Sequence, residues 1–246
     1  MTTRTAVTPV TAAPSHEPRI VRVATLMADA TRARMLSYLL GGELASAGEL
    51  AACASVGAAT ASAHLAKLLD GGLVACEPRG RHRYYRLADA EVAHALEALA
   101  LVAERGAHDA AWARPARARL RQARCCYGHL AGKAGVALLG HLQGQGWLHA
   151  GTHDAGPVFT LSETGGRGLD AWGLDGAAWQ ARLASAGARR QAYPCLDWSE
   201  RRDHLAGPLG SALLQHFITR GWLRRQAGDR ALQATPDGRR ALDWWP

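Results

Sequence analysis

The segment GHLAGKAGVALLGHLQGQGWL at Gly128–Leu148 returns as DHLAGPLGSALLQHFITRGWL at Asp203–Leu223. His129, Leu130, Ala131 and Gly132 recur as His204, Leu205, Ala206 and Gly207, and Gly135 recurs as Gly210. Leu138-Leu139, His141 and Gly146-Trp147-Leu148 follow as Leu213-Leu214, His216 and Gly221-Trp222-Leu223, at a constant spacing of 75. Further on, Gly165, Arg167, Leu169 and Asp170 return at a spacing of 73 as Gly238, Arg240, Leu242 and Asp243. A chain that repeats itself in this way builds two similar supersecondary units packed as one domain. Each unit reads as a helix, a Gly-Trp-Leu strand, a short hairpin and a helix that starts near Ser/Thr-x-x-Gly, which is a reduced winged helix. The hairpin over 147–161 carries no Arg or Lys, whereas Arg224, Arg225 and Arg230 follow the second Gly-Trp-Leu. A first copy without a basic wing suits effector binding or dimerisation; the alternative is that the second copy touches DNA flanks.

The rest of the chain is organised differently. None of the eight tryptophans precedes Trp112. The formal charge is +8 over 246 residues, which makes nucleic acid a partner to consider. That excess is unevenly spread. Residues 1–100 hold ten Lys+Arg against nine Asp+Glu, and residues 101–127 hold six against two. Two domains account for both asymmetries. The boundaries read as a disordered arm over 1–19, a first domain over 20–105, a linker over 106–126 and the duplicated domain over 127–246. Hydrophobic residues make up 48%, which excludes a mainly disordered chain, and no apolar run is long enough to suggest a membrane span. The arm lacks an apolar h-region, so the expectation is a cytoplasmic protein.

Within 20–105 the apolar spacing predicts two short helices over 20–40, broken near Asp29 and Thr31 and stopped by Gly41-Gly42. Ser46 with Glu49 predicts a capped helix over 47–53. Val56-Gly57 makes a turn into a helix over about 58–70, with Ala61, Leu65, Leu68 and Leu69 on one face. Leu73–Cys76 and His82–Leu87 read as strands joined at Arg79-Gly80-Arg81, and 89–105 as a long helix. This order is a winged helix-turn-helix. The local positive charge lies at Arg79, Arg81, Arg83 and Arg86. A helix of small residues fits a major groove, and a hairpin tipped with arginines reaches phosphates or the minor groove. The whole chain is therefore expected to be mainly α with small β wings, an α+β protein.

The stretch TLMADATRARMLSYLL, the body from Gly42 through ASAHLAKLLDGG, and the wing RGRHRYYRL resemble the ArsR family of bacterial winged-helix repressors. The resemblance implies a homodimer joined by the first and last helices of the domain, about 20–30 and 89–105. It implies DNA contacts from Ala59, Thr60, Ser62, Ala63, His64 and Lys67 on the recognition helix, and from Arg79, Arg81, His82, Arg83 and Tyr84 on the wing. The partner implied is a double-stranded operator, an inverted repeat, released when an effector moves the recognition helices out of register. The family's metal sites transfer poorly. Cys53 stands at one cysteine position while Ala51 replaces the other, and around Asp89, Glu91, His94, Glu97 and His108 the zinc and nickel pattern is incomplete. The alternative function is a non-specific architectural DNA binder without an effector.

The five cysteines, Cys53, Cys76, Cys125, Cys126 and Cys195, are odd in number and argue against a disulfide-stapled fold. Three readings stay open for those beside the repeats. A soft metal or metalloid ion could be held by Cys125 or Cys126 with Cys195 and His129 or His204. A redox switch would join two thiols or use one low-pKa thiolate. Otherwise these residues pack, and the effector is organic, with Trp147, Trp172, Trp198 and Trp222 lining an apolar pocket. In the register of the repeats Cys126 aligns with Arg201, so Cys126 and Cys195 read as non-equivalent. No phosphate-binding loop, nucleophile elbow or metalloprotease signature is present, and no enzyme activity is expected.

Overall fold

Asp29 divides the first apolar run. Its carboxylate accepts a hydrogen bond from the Arg32 backbone N–H at 2.9 Å and caps α2 (Ala30–Leu39), just after α1 (Arg19–Met27) ends. The computed structural model describes residues 19–80, 82–105, 115–153, 156–185, 191–226 and 229–246. Ser46 and Glu49 form the expected capping box on α3 (Ala47–Ala54). Ser55, left-handed at φ 58°, turns the chain into α4 (Ala58–Asp70). Strands β2 (Val74–Arg79) and β3 (His82–Leu87) pair antiparallel from Val74 opposite Leu87 to Arg79 opposite His82. Helix α5 (Ala90–Ala103), capped by Asp89, closes this half. A third strand, β1 (Ala45–Ser46), pairs with Tyr85 and Tyr84 of β3. Two residues are too short to show a period of two, so this strand leaves no sequence signal. Met35, Leu36, Leu39, Leu50, Leu65, Leu68 and Leu87 form the core between these elements.

The second half is built twice over. Helix α6 (Pro115–Gln122) leads into a hairpin of β4 (Arg124–Cys126) and β5 (His129–Ala131), followed by α7 (Lys133–Gly144). A second hairpin, β6 (Leu148–His153) with β7 (Gly156–Leu161), then α8 (Glu163–Trp172) and α9 (Gly176–Ala184) complete that unit. The next unit repeats the order. Strands β8 (Tyr193–Leu196) and β9 (Asp203–Ala206) precede α10 (Gly207–Thr219), and β10 (Leu223–Arg225) with β11 (Leu232–Ala234) precede α11 (Pro236–Ala241). The repeat therefore starts one strand earlier than the sequence match, at β4 and β8. The recurring glycines mark where backbones touch. A Cβ on Gly135 would lie 2.3 Å from the Leu130 carbonyl oxygen, and one on Gly210 would lie 2.6 Å from that of Leu205. Their outer partners are reciprocal, with Gly135 against His204 and Gly210 against His129.

The linker expectation changes. The linker over 106–126 is ordered where it is described: 115–122 is helix α6, and 124–126 is a strand with Arg124, Cys125 and Cys126 buried. Composition suggested a linker because the arginines of α6 resemble a solvated run, while pairing with β5 is invisible locally. Linker residues 106–114 lie outside the described residues, as does the arm apart from Arg19, which opens α1. The two halves are also packed together. The Tyr127 N–H donates to Leu40 at 2.6 Å, and Arg225 reaches both Glu43, at 2.6 Å, and the Gly41 carbonyl, at 3.3 Å. Among the described residues, no helix is long and apolar enough to cross a membrane.

Candidate DNA-binding face and buried thiol–imidazole cluster

Helix α4 turns Ala61, Leu65 and Leu68 inward because they recur every three or four residues. The same periodicity leaves Ala59, Thr60, Ser62, Ala63 and Lys67 exposed. Ser62 Oγ donates to the Ala58 carbonyl at 2.9 Å. His64 leans off this face, with Nδ1 3.5 Å from both Asp29 Oδ1 and Arg32 Nη1. On the wing, Arg79, His82 and Arg83 are exposed and Tyr84 is half-buried. Arg79 lies 3.4 Å from Glu77, and Arg83 Nε donates to Cys76 Sγ at 3.2 Å. Arg81 lies outside the described residues. Arg86 departs from the basic cluster read in the sequence. Its Nε pairs with Glu77 at 2.7 Å and its Nη1 donates to the carbonyls of Leu87 and Ala88, so it ties β3 to the start of α5.

The second site is buried. Cys126 pairs with His129 across the first hairpin, and Cys195 with His204 across the equivalent one. The two hairpins bring Cys126, His129, Cys195 and His204 together, with one ligand atom from each lying within 4.8 Å of all the others. All four residues are buried. Among the described residues, His129 Nδ1 and both ring nitrogens of His204 have no hydrogen-bond partner. Leaving such groups orphaned in the interior is costly. Burial holds the His129 imidazole well below its ordinary pKa, so that ring is neutral. The Cys195 thiol is brought down to about 5, first by the hydrogen bond from Cys126 and then by His204, against the cost of burial. The same hydrogen bond, with burial, pushes Cys126 up.

Ion pairs run from this cluster into α5. Asp197 Oδ2 lies 3.5 Å from His204 Nδ1 and accepts from Arg124 Nη2 at 2.9 Å and from the Gly132 N–H at 2.7 Å. Its Oδ1 accepts from Ser199 Oγ at 2.7 Å and from the Ser199 and Glu200 N–H groups. Burial raises the Asp197 pKa, but Arg124, His204 and these hydrogen bonds outweigh it and keep the carboxylate ionised. Arg124 stacks over Trp198 at 4.4 Å and lies 3.7 Å from Glu97 on α5. Arg230 pairs with the other Glu97 oxygen at 2.7 Å. Two carboxylates and two guanidinium groups thus balance in the interior. A cavity of about 410 Å³ opens beside the cluster, lined by His94, Glu97, Ala98, Pro157, Tyr193 and Cys195 among others.

A helix-turn-helix domain model matches residues 27–77. An uncharacterised HTH-type transcriptional regulator, YdfF of Bacillus subtilis strain 168, is 35% identical over 226 residues, which cover 92% of this chain and 96% of that protein. The chain belongs to the HTH-type transcriptional regulators. Solved structures similar to part of this regulator include the homodimeric winged helix-turn-helix DNA-binding domain of Mb0332 from Mycobacterium bovis, a possible ArsR-family regulator. That domain is 28% identical, covers 37% of the regulator and 83% of its own chain, and has a TM-score of 0.35. HlyU from Vibrio cholerae N16961 is 29% identical, covering 36% of the regulator and 91% of its own chain at a TM-score of 0.32.

The regulator's structure sorts the residues singled out in its sequence. Cys125 is excluded from the cluster. Alternation along β4 points it into the C-terminal core while Arg124 and Cys126 share the other face. Cys126 and Cys195, which linear register separates, are structurally equivalent. The first hairpin turns through Tyr127-Gly128, whereas the second carries the longer loop 197–202, so strand pairing restores a symmetry that the fixed offset hides. The four tryptophans do not form a pocket. Trp147 and Trp172, with ring centroids 4.9 Å apart, join Phe217 and Trp222 in an aromatic core, and Trp198 lies elsewhere over Arg124. None of the four lines the cavities of about 410 and 420 Å³ beside Cys195 and Asp203. Sequence reading missed Asp197 and Glu97 as members of the site. The one signal was CLDW, a carboxylate two residues after Cys195.

Proposed function

We propose that this regulator is a homodimeric, sequence-specific repressor of the cytoplasm that binds an inverted-repeat DNA operator and leaves it when an effector binds. The observation that carries the reading is the exposed polar face of α4 set beside a wing whose Arg79, His82 and Arg83 are also exposed. In it, Ala59, Thr60, Ser62, Ala63 and Lys67 meet the major groove, and Arg79, Arg81, His82, Arg83 and Tyr84 meet the backbone or minor groove. His64 orients α4 through Asp29 and Arg32 as much as it reads a base. Dimerisation is supported by the apolar residues left in water. Ile20 and Val21 of α1 and Leu99 and Val102 of α5 are exposed by 73%, 38%, 51% and 51%, and a paired α1/α5 surface would cover them. The C-terminal half serves as two winged-helix-like units that sense rather than read DNA.

The test is selection of a binding duplex from a random-sequence pool, followed by anisotropy against scrambled duplex. The reading expects a selected inverted repeat, two chains per site, and a preference over scrambled DNA of at least about a thousandfold. Equal affinity on both duplexes would overturn specificity in favour of an architectural binder. Arg83→Ala should weaken both duplexes and lower the salt slope by about 0.9 for its lost phosphate contact. Thr60→Ala should mainly reduce the preference.

A further inference from the structure

We propose that Cys126, His129, Cys195 and His204 bind one thiophilic divalent cation of the zinc and cadmium class, and that this cation is the effector. The effector role rests on the repressor reading; the site itself does not. The donor set is the first argument. Two sulfurs and two imidazole nitrogens converge from two symmetric hairpins, which is the S2N2 set of a tetrahedral zinc site. With metal–ligand distances of about 2.0–2.3 Å, a tetrahedron has edges of roughly 3.3–3.8 Å. The present spread, within 4.8 Å, therefore has to close by no more than about 1.0–1.5 Å along any edge.

The second argument is satisfaction of buried polar atoms. His129 Nδ1 and both nitrogens of His204 lack hydrogen-bond partners among the described residues. A cation supplies what the imidazole lone pairs are missing. The Asp197 carboxylate, 3.5 Å from His204 Nδ1, would hold a proton on that nitrogen and leave Nε2 for the metal, the usual outer partner of a ligating histidine. The third argument is charge. Asp197 and Glu97 are already matched by Arg124 and Arg230. Two thiolates then need two positive charges, which a divalent ion supplies as the proton still held on Cys126 leaves to solvent. Cys195 lines the 410 Å³ cavity, so an ion has a way in.

The same residues connect the ion to the DNA-binding half. Cys126 and Arg124 share a face of β4, and Asp197 bonds Arg124 while standing beside His204. Arg124 and Arg230 both hold Glu97 of α5. Drawing the two hairpins together moves the cations that grip α5. Because α5 carries the proposed dimer face, this shift changes the spacing of the two recognition helices.

The experiment titrates Co2+ into the full-length, reduced, chelator-treated protein and follows absorbance. Expected are one ion per chain, thiolate-to-cobalt charge transfer and the intense visible bands of tetrahedral cobalt, displaced by Zn2+. Cys126→Ser, Cys195→Ser and His204→Gln should each abolish the stoichiometric spectrum, whereas Cys125→Ser and Cys53→Ser should keep it. Zn2+ should then weaken binding to the selected duplex by at least about fivefold, the lower range of allosteric coupling. The wild-type titration needs no variant to fold. No stoichiometric tetrahedral spectrum overturns the site, as does a Cys126–Cys195 disulfide in a protein whose reduced form binds no metal. Stoichiometric metal with unchanged DNA affinity overturns the effector role. Absence of DNA binding in every state refutes the repressor reading instead, and the cobalt spectrum still decides the site.

Discussion

Replacing Glu97 with Gln removes one charge from the junction between the two halves while keeping its shape. Glu97 is 3% exposed and stands 2.7 Å from Arg230 Nη1 and 3.7 Å from Arg124 Nη2. Burial alone would raise its pKa, yet the two guanidinium groups hold it below the ordinary carboxylate value. In Glu97→Gln, Asp197 is left as the only buried carboxylate described against the guanidinium groups of Arg124, fully buried, and Arg230, 9% exposed. Breaking a buried pair by removing one partner costs about 3–5 kcal/mol, because the remaining charge is stranded. At about 2–4 °C per kcal/mol for a chain of this size, melting should fall by roughly 6–20 °C. Urea and thermal denaturation of wild type and variant measure this directly. Adding Arg230→Met should recover part of the loss, with a coupling of about 0.5–3 kcal/mol. A loss under about 1 kcal/mol, with no coupling, would show that Glu97 behaves like a surface ion pair and would refute a charge-balanced interior.

Other outcomes follow from local geometry. Gly135→Ala and Gly210→Ala push a Cβ to 2.3 and 2.6 Å from backbone carbonyl oxygens, so each should cost about 1–3 kcal/mol in urea unfolding; a neutral result would refute the close packing. Gly140→Ala on α7 meets nothing within 4 Å and should stabilise by about 0.5–1 kcal/mol, which the same assay checks. Ser46→Ala removes a reciprocal cap and should cost about 0.5–2 kcal/mol. Because Ser46 holds the Glu49 carboxyl below its ordinary 4.5, that contribution is full above this value and is lost as the pH falls through the lowered one. A Ser46→Ala deficit that stays constant from neutral to acid pH would remove Glu49 from the cap. Leu99→Glu on α5, a 51% exposed apolar position, should shift sedimentation from dimer to monomer.

Most of the first half was legible because its signals are local. The break at Asp29, the Ser46–Glu49 box, the Gly-bounded helix α4 and the paired strands each need only a few neighbouring residues. The repeat was equally legible, and its glycines mark the close approaches of helix and strand. The residue types of the buried cluster could also be read, since Cys and His near both repeats stand out by chemistry. Their number and membership could not. Selecting Cys126 over Cys125 depends on which face of β4 is turned inward, and that is fixed by pairing with β5.

The sequence by itself determined the order of helices and strands in the DNA-binding half, the family resemblance and the duplication. These follow from periodicity, capping and residue identity, which act over a few residues or by direct repetition. Tertiary structure alone decided that Cys195 is the counterpart of Cys126, because register is set by hydrogen bonds between strands and the extra residues of 197–202 are absorbed in a loop. It also decided that Glu97 of α5 meets Arg124 and Arg230 from far along the chain. Burying charges requires partners, and no local pattern specifies which distant carboxylate will supply them.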